Sequence, residues 1–333
     1  MDSSAPKISV LIKVSTISKS LELSIKALQR QTIANEVELI LLSAGPHAEA
    51  LEKIAGDGFF KTRVVPIDST LHEGEYKVKG IDVATAPLIM FSEDHSYMEA
   101  TCLESIIRTH NENDYAAVGP VMANPNPATG TSWGCFLTFY GQWGYVKLTG
   151  STEHLPANQS CYTRKILLAN KEHLADKLKA ESVFHWELLA KGQRLKLTDS
   201  ARVYHLNTSR LRCLLLEYFL GSKLFAESRF RKEDIASRLT YTIGSPLIPF
   251  VRLWRISMIS KSIQLPVTDF IKSLPPLWLC LCAGSVGEAI GYSLGSKGAE
   301  SSLHKLLSNP DSLVNPSDLQ EVGHLIARQF QDK

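Results

Sequence analysis

No CxxC pair occurs in this chain, and its six cysteines are scattered, with Cys280 and Cys282 the only close pair. That spacing is not a zinc framework, and the expectation is reduced, buried thiols in a cytosolic protein. An imbalance of charge is also missing. The 36 Lys and Arg residues face 34 Asp and Glu, a net +2, so overall charge implies no polyanion and no nucleic-acid partner. Met1 to Lys7 is polar and lacks the basic region and long apolar core of a signal peptide, so the chain is expected to work in the cytosol. No internal repeat or low-complexity tract is found. What remains is ordinary for a folded protein: 333 residues, 44% hydrophobic and 21% charged, enough for one large or two ordinary domains.

The first part of the chain alternates between two patterns. Ile8 to Val14, Val37 to Leu42, Arg63 to Ile67, Leu88 to Phe91 and Ala116 to Val121 are short apolar runs that read as strands. Helical spacing marks Leu21 to Leu28, His47 to Ala55, Glu73 to Ala84 and Ala100 to Asn111. Strand and helix in alternation with short connections predict an α/β fold with a parallel, doubly wound sheet. Pro125 to Gly150, rich in Gly, Pro and aromatics, reads as loop. Arg164 to Leu178 and Glu181 to Lys191 read as helices, Arg194 to Leu197 and Ala201 to Tyr204 as two short strands, and Ser209 to Phe230 as an amphipathic helix.

The chemistry centres on Leu88-Ile-Met-Phe-Ser-Glu93-Asp94-His95, a buried strand that stops at two acids and a histidine. In open α/β sheets ligands bind beyond the carboxyl ends of strands. Carboxylates beside an imidazole suit Mg²⁺ or Mn²⁺, and such a cation can hold a diphosphate. An Asp there also serves as a plain helix cap.

Two apolar stretches close the chain. Residues 274–295 are long enough to cross a bilayer, at about 20 residues per span, but Glu288 interrupts them. Trp254 and Trp278 suit a membrane interface, and Arg252, Arg255, Lys261 and Lys272 suit anionic headgroups. The expectation is a membrane-associated tail, with span and surface binding both open. Gly284-Ser-Val-Gly287-Glu-Ala-Ile-Gly291 imitates a dinucleotide-binding turn, yet too little chain follows to build its sheet. Close helix packing explains these small residues better.

In order and spacing, these features resemble family 2 glycosyltransferases of the nucleotide-diphospho-sugar (GT-A) fold, in a bacterial subgroup whose metal motif reads Glu-Asp-His. The resemblance implies a catalytic domain over residues 1–207 and a helical, membrane-associated extension over 208–333, working at the cytoplasmic face of a membrane. It implies a nucleotide-diphospho-sugar donor, a glycan or lipid-linked acceptor and a divalent cation. Glu93-Asp94-His95 stands at the family's Asp-x-Asp position, with Asp94 and His95 as metal ligands and Glu93 toward the donor. Lys77-Val-Lys-Gly80 stands at its Arg-Asn-x-Gly, so Lys77 would meet a phosphate. Glu181, eleven residues before Gly192, would be the general base that deprotonates the acceptor, with Glu187 and His185 as alternatives. Ala201-Arg-Val-Tyr-His205 matches the pattern whose histidine completes the metal site. Asn158 and Gln159 would bond sugar hydroxyls, and Trp133, Tyr140 and Trp143 would form either a sugar platform or core.

The sequence departs from the family at the second strand, where Ser43-Ala-Gly-Pro replaces Asp-Asp-Gly-Ser, and at Lys13-Val-Ser-Thr after the first. The donor would then rest on backbone groups around Val14 and Ser43. An inactive sugar-nucleotide or glycan-binding protein on the same fold is the alternative. A pyrophosphorylase would need a glycine-rich N-terminal loop, and Ile8 to Ser20 contains no glycine.

Overall fold

The computed structural model describes residues 5–144, 152–229 and 235–328. In chain order the elements are β1 (Ile8–Val14), α1 (Lys19–Gln29), β2 (Val37–Ser43), α2 (Ala48–Ala55), β3 (Lys61–Pro66), α3 (Glu73–Val83), β4 (Leu88–Ser92), β5 (Ser96–Met98), α4 (Cys102–Glu112), β6 (Ala117–Ala123) and α5 (Gly130–Phe139). There follow β7 (Cys161–Thr163), α6 (Arg164–Ala169), α7 (Leu174–Leu178), α8 (Glu181–Ala190) and β8 (Leu195–His205). The rest is helical: α9 (Leu211–Arg229), α10 (Ile235–Gly244), α11 (Ile248–Ser262), α12 (Val267–Leu294), α13 (Ala299–Leu307) and α14 (Pro316–Arg328).

Two compact units result. Unit 1 joins Met1–Ala123, Trp143–His205 and Val322–Lys333, and unit 2 joins Asn124–Gln142 and Leu206–Glu321. One boundary between the units falls at His205/Leu206. Asn124–Gln142 belongs with the helical unit, and the end of α14 from Val322 to Arg328 belongs with unit 1.

Unit 1 is built on a mixed sheet in the order β3-β2-β1-β4-β7-β6-β8-β5. The half from β3 to β4 is parallel, and within it β2 and β4 are buried along their whole length, as parallel strands commonly are. The other half is not uniformly parallel. β7 runs antiparallel to both β4 and β6, and β5 runs antiparallel to β8. At three residues each, β5 and β7 are too short to show a periodicity in sequence. The two short strands expected at 194–204 are one strand, β8. Its register against β6 slips between Pro120 and Val121, where Thr198 and then Arg202 are the partners. Pro120 offers no N–H to the ladder, and the bulge falls there.

The expected loop at 125–150 is corrected, because α5 occupies Gly130–Phe139 and Thr129 caps it through the Ser132 amide. Its glycines are contact positions, not turns. A Cβ on Gly130 would lie 2.0 Å from the Lys272 carbonyl oxygen, and Gly134 lies against Leu277. Residues 145–150 of that stretch, like Phe230, lie outside the described residues. The single helix expected at 164–178 is two, α6 and α7, broken where His173 takes a left-handed backbone (φ 59°).

In unit 2, α12 packs along α9. A Cβ on Gly287 would stand 2.3 Å from the Phe219 carbonyl oxygen and one on Gly291 2.4 Å from that of Lys223. The false dinucleotide turn is therefore a helix-packing seam, as expected. Glu288 faces the same interior, paired to Arg252, whose guanidinium also donates to the Tyr218 hydroxyl at 2.6 Å. α12 is the one described helix long and apolar enough to cross a membrane. Its inner face is covered by protein, including Leu277, Leu281 and the three glycines.

Two interior histidines of unit 1 couple its stability to pH. Burial pushes His110 and His185 down to about 4, against the opposing pull of carbonyl hydrogen bonds on the first and of Glu181 on the second. A folded-state value below the ordinary 6.5 means that the unfolded chain binds protons first. Stability is therefore full above pH 6.5 and falls as pH drops from 6.5 to 4, by up to about 3 kcal/mol per histidine. Urea midpoints across that window should show the decline, and His110→Gln should flatten it.

Candidate active site

β4 carries the chain to the carboxyl edge of the sheet and stops. Ser92 is its last residue, and Glu93, Asp94 and His95 turn the chain into β5. Because β5 pairs antiparallel with β8, Ser96 lies opposite His205, the last residue of β8. Residues 110 positions apart in sequence thus become neighbours. The His95 and His205 rings meet edge-on at 4.7 Å, and His205 Nε2 is 3.3 Å from Glu93 Oε2. Ligand atoms of Glu93, His95 and His205 all lie within 4.8 Å of one another.

Asp94 stands behind this group. Its Oδ1 is 2.7 Å from His95 Nδ1, which leaves Nε2 as the His95 atom for a cation. Metal-binding imidazoles commonly hand their second N–H to a carboxylate in this way. Burial alone would raise the Glu93 carboxyl, but the hydrogen bond and charge of His205, the His95 charge and the Gln159 amide hold it at about 2. It is an anion at any working pH.

Asn158 and Gln159 complete the wall. Asn158 donates through Nδ2 to Glu93 Oε1 at 3.2 Å, and Gln159 through Nε2 to Glu93 Oε2 at 3.1 Å and to Ser96 at 2.7 Å. Among the described residues, their side-chain carbonyl oxygens and the Ser92 hydroxyl are buried and have no hydrogen-bond partner. Buried polar atoms are normally satisfied, so such acceptors beside two imidazoles and a carboxylate fit a divalent cation. The two nitrogen donors suit Mn²⁺ better than Mg²⁺, which prefers oxygen.

Asn158 also links this cluster to a second one. Its backbone sits in the left-handed region (φ 58°), which asparagine tolerates, and its N–H donates to Glu181 Oε1 at 2.9 Å. Lys77 donates to the same oxygen at 2.6 Å and to Glu73 at 2.7 Å, with its ammonium 5.0 Å from the centre of the Phe91 ring. Tyr162 donates to Glu181 Oε2 at 2.8 Å. The Leu155 N–H reaches His185 Nδ1 at 3.3 Å, so the neutral ring carries its proton on Nε2 and donates to the Tyr162 oxygen at 2.6 Å. The order is His185, Tyr162, Glu181, Lys77. Burial lowers Lys77, but Glu181 and Glu73 more than reverse this and keep it charged.

This geometry alters several expected roles. Lys77 and Glu181 are each only 2% exposed and are committed to one another. A general base needs an open oxygen, and both oxygens of Glu181 are engaged. Among the described residues Asp94 accepts only from His95, which makes it the less encumbered carboxylate. Glu187 forms an ion pair with Lys177 at 2.7 Å, and His185 serves Tyr162. The groups around Val14 and Ser43 are spent on the sheet: Ala44 N–H donates to the Val14 carbonyl, Ile67 N–H to the Ser43 carbonyl, and the Ser43 hydroxyl to Gly45. Trp143 is buried in unit 1 with its indole N–H on the His154 carbonyl, while Trp133 and Tyr140 belong to unit 2.

One residue was given no role by the sequence reading, where it appeared only within a departure from the family pattern. Lys13, at the carboxyl end of β1, lies over the Tyr76 ring at 4.8 Å. Burial lowers its ammonium, and the charges of Glu73 and Asp94 oppose the drop. Its signals were a charged residue inside the apolar run Ile8–Val14 and its place in the stretch that departs from the family pattern.

No protein-family model matches the sequence, and a search of curated proteins finds no match. The chain is similar to S. aureus TarS. Its crystal structure, covering residues 1–349, aligns with 89% of this chain and 92% of that one, at 13% identity and a TM-score of 0.46.

Proposed function

We propose that the protein is a metal-dependent glycosyltransferase of the family 2 type. It moves a sugar from a nucleotide-diphospho-sugar to the hydroxyl of a glycan or lipid-linked acceptor, with inversion. The observation that carries this reading is the Glu93–His95–His205 cluster at the carboxyl ends of β4 and β8, beside the unengaged oxygens of Asn158 and Gln159. Its position agrees with the resemblance of Glu93-Asp94-His95 and Ala201–His205 to that family.

Glu93, His95 and His205 would hold the divalent cation. When bound, it supplies Lewis-acid neutralisation of the leaving diphosphate. Lys13 adds positive charge from the end of β1, the task the sequence assigned to Lys77. Asp94 keeps His95 oriented through Oδ1 and takes the acceptor proton on Oδ2. Lys77, Glu181, Tyr162 and His185 fix Asn158, and through it Glu93.

The alternative, a sugar-nucleotide binder without turnover, draws on the burial of Glu181 and on the committed groups at Val14 and Ser43. A thermal-shift series with nucleoside diphosphates and Mn²⁺ tests both readings. A diphosphate at about a hundred times its Kd should raise Tm by roughly 5 °C or more, only with metal, and His205→Ala should abolish the rise. Asp94→Asn preserves the acceptor for His95, so it should keep the shift and lose transfer. A shift without transfer by the wild-type protein supports the binder, and no shift in folded protein counts against both.

A further inference from the structure

Unit 2 has a cavity that sugar transfer does not use. Its volume is about 370 Å³. Tyr218, Gly221, Ser222 and Phe225 line it from one face of α9, and side chains of α5, α11 and α13 supply the other walls. A space of this size between helices, walled mainly by aromatic and aliphatic side chains with a few polar groups, is the usual form of a small-molecule site.

Two lining residues set it apart from a packing gap. A glycine inside a helix destabilises it relative to alanine. Gly284, Gly287 and Gly291 of α12 offset that loss by close approach to α9, but Gly221 does not: among the described residues nothing lies within 4 Å of its added Cβ. What Gly221 leaves is open volume. Ser222 is only 6% exposed, yet its hydroxyl forms no hydrogen bond among the described residues, whereas buried hydroxyls are normally bonded. Beside it the Tyr218 hydroxyl accepts from Arg252 at 2.6 Å. Burial pushes that phenol up to about 12, so it keeps a proton to donate.

We propose that this cavity binds a neutral, mainly apolar small molecule carrying a hydroxyl or carbonyl group, which Ser222 and Tyr218 engage. The charged groups of the wall are already matched. Arg252 pairs with Glu288, and Glu217 accepts from the Thr208 hydroxyl at 2.9 Å. An anion would meet Glu217 and a cation would meet Arg252, and either would give up its hydration without a new partner. The groups left over are the two hydroxyls, and they select an uncharged ligand. This proposal stands on unit 2 alone and is independent of the reaction assigned to unit 1.

Calorimetric titration of the full chain tests it with three probes of similar shape: 2-naphthol, naphthalene and 2-naphthoate. The neutral 2-naphthol should bind at one site with a Kd of about 1 mM or below. Naphthalene, followed by competition with 2-naphthol, should bind about 3- to 10-fold more weakly for want of the hydrogen bond. The anion 2-naphthoate should bind at least about tenfold more weakly. Ser222→Ala should weaken 2-naphthol by about 3- to 10-fold and leave naphthalene unchanged. Gly221→Leu, which fills the cavity, should abolish binding of both while Tm does not fall. Each of several results overturns the proposal: no saturable binding of 2-naphthol by folded protein, binding that Gly221→Leu leaves intact, 2-naphthoate binding as tightly as 2-naphthol, or a preference for 2-naphthol that survives Ser222→Ala. So does a Gly221→Leu protein that melts lower or fails to fold, since the space would then not be open.

Discussion

Lys77→Met is expected to lower stability by about 3–5 kcal/mol. The substitution roughly preserves the volume of the side chain, so the loss comes from electrostatics and not from a cavity. Glu181 would keep its bonds from Asn158 N–H and Tyr162 but lose the cation that balances it in a site closed to water. A buried carboxylate without its partner is costly, whereas removal of both charges is often close to neutral. Adding Glu181→Gln should therefore recover most of the loss. The retained carbonyl still accepts from Asn158, and the coupling between the two positions should reach about 2–3 kcal/mol. Urea unfolding of the wild type, both single variants and the double variant closes the cycle. Additive single effects would mean that the pair is not a unit. The same series bears on the reaction: if Glu181 positions Asn158 and is not the base, Glu181→Gln should retain measurable transfer where Asp94→Asn does not.

Gly287→Val is expected to cost about 3 kcal/mol or more, near the upper end for overpacking. The atom in the way is a backbone oxygen, that of Phe219, 2.3 Å from where the new Cβ would stand. A flexible side chain could turn aside, but α9 can give way only by moving as a helix. Valine also gains little from helix propensity, because its branched Cβ is restricted. Gly221 on α9 is the internal control. Nothing lies within 4 Å of its added Cβ, so Gly221→Ala should stabilise by roughly 0.5–1 kcal/mol through propensity and loss of unfolded-state freedom. Thermal denaturation of the two variants should move Tm in opposite directions. Equal shifts would mean that the α9–α12 approach is looser than described.

The parallel half of the sheet was legible because a strand buried on both faces leaves an apolar run, as in Leu39–Leu42 and Leu88–Phe91. The helices between them were legible for the matching reason, since one face of each is apolar at a 3.6-residue period. The glycine stripe of α12 was read as packing because a dinucleotide turn needs a sheet that the remaining chain was too short to build. α5 was missed because a glycine that allows close contact and one that allows a turn are the same letter. Gly130 differs only through the Lys272 carbonyl, 142 residues away.

The site divides in the same way. Glu93, Asp94 and His95 stood out because three polar, titratable residues end a buried strand, which is a local pattern. His205 was proposed from resemblance, and its contact with Glu93 exists because β5 and β8 pair antiparallel, a pairing that a three-residue strand cannot announce. Lys77 and Glu181 were both singled out, each facing a different part of a substrate. That they face each other across 104 positions follows from the packing of α7 on α3, with Glu181 at the start of the next helix, α8. By itself, the sequence determined which segments are strands, which are helices and where the acids cluster, because periodicity and strand ends are properties of neighbouring residues. Tertiary structure alone decided which of those charges neutralise one another and which stay available for chemistry, because electrostatic partnership depends on distance through space and on the exclusion of water.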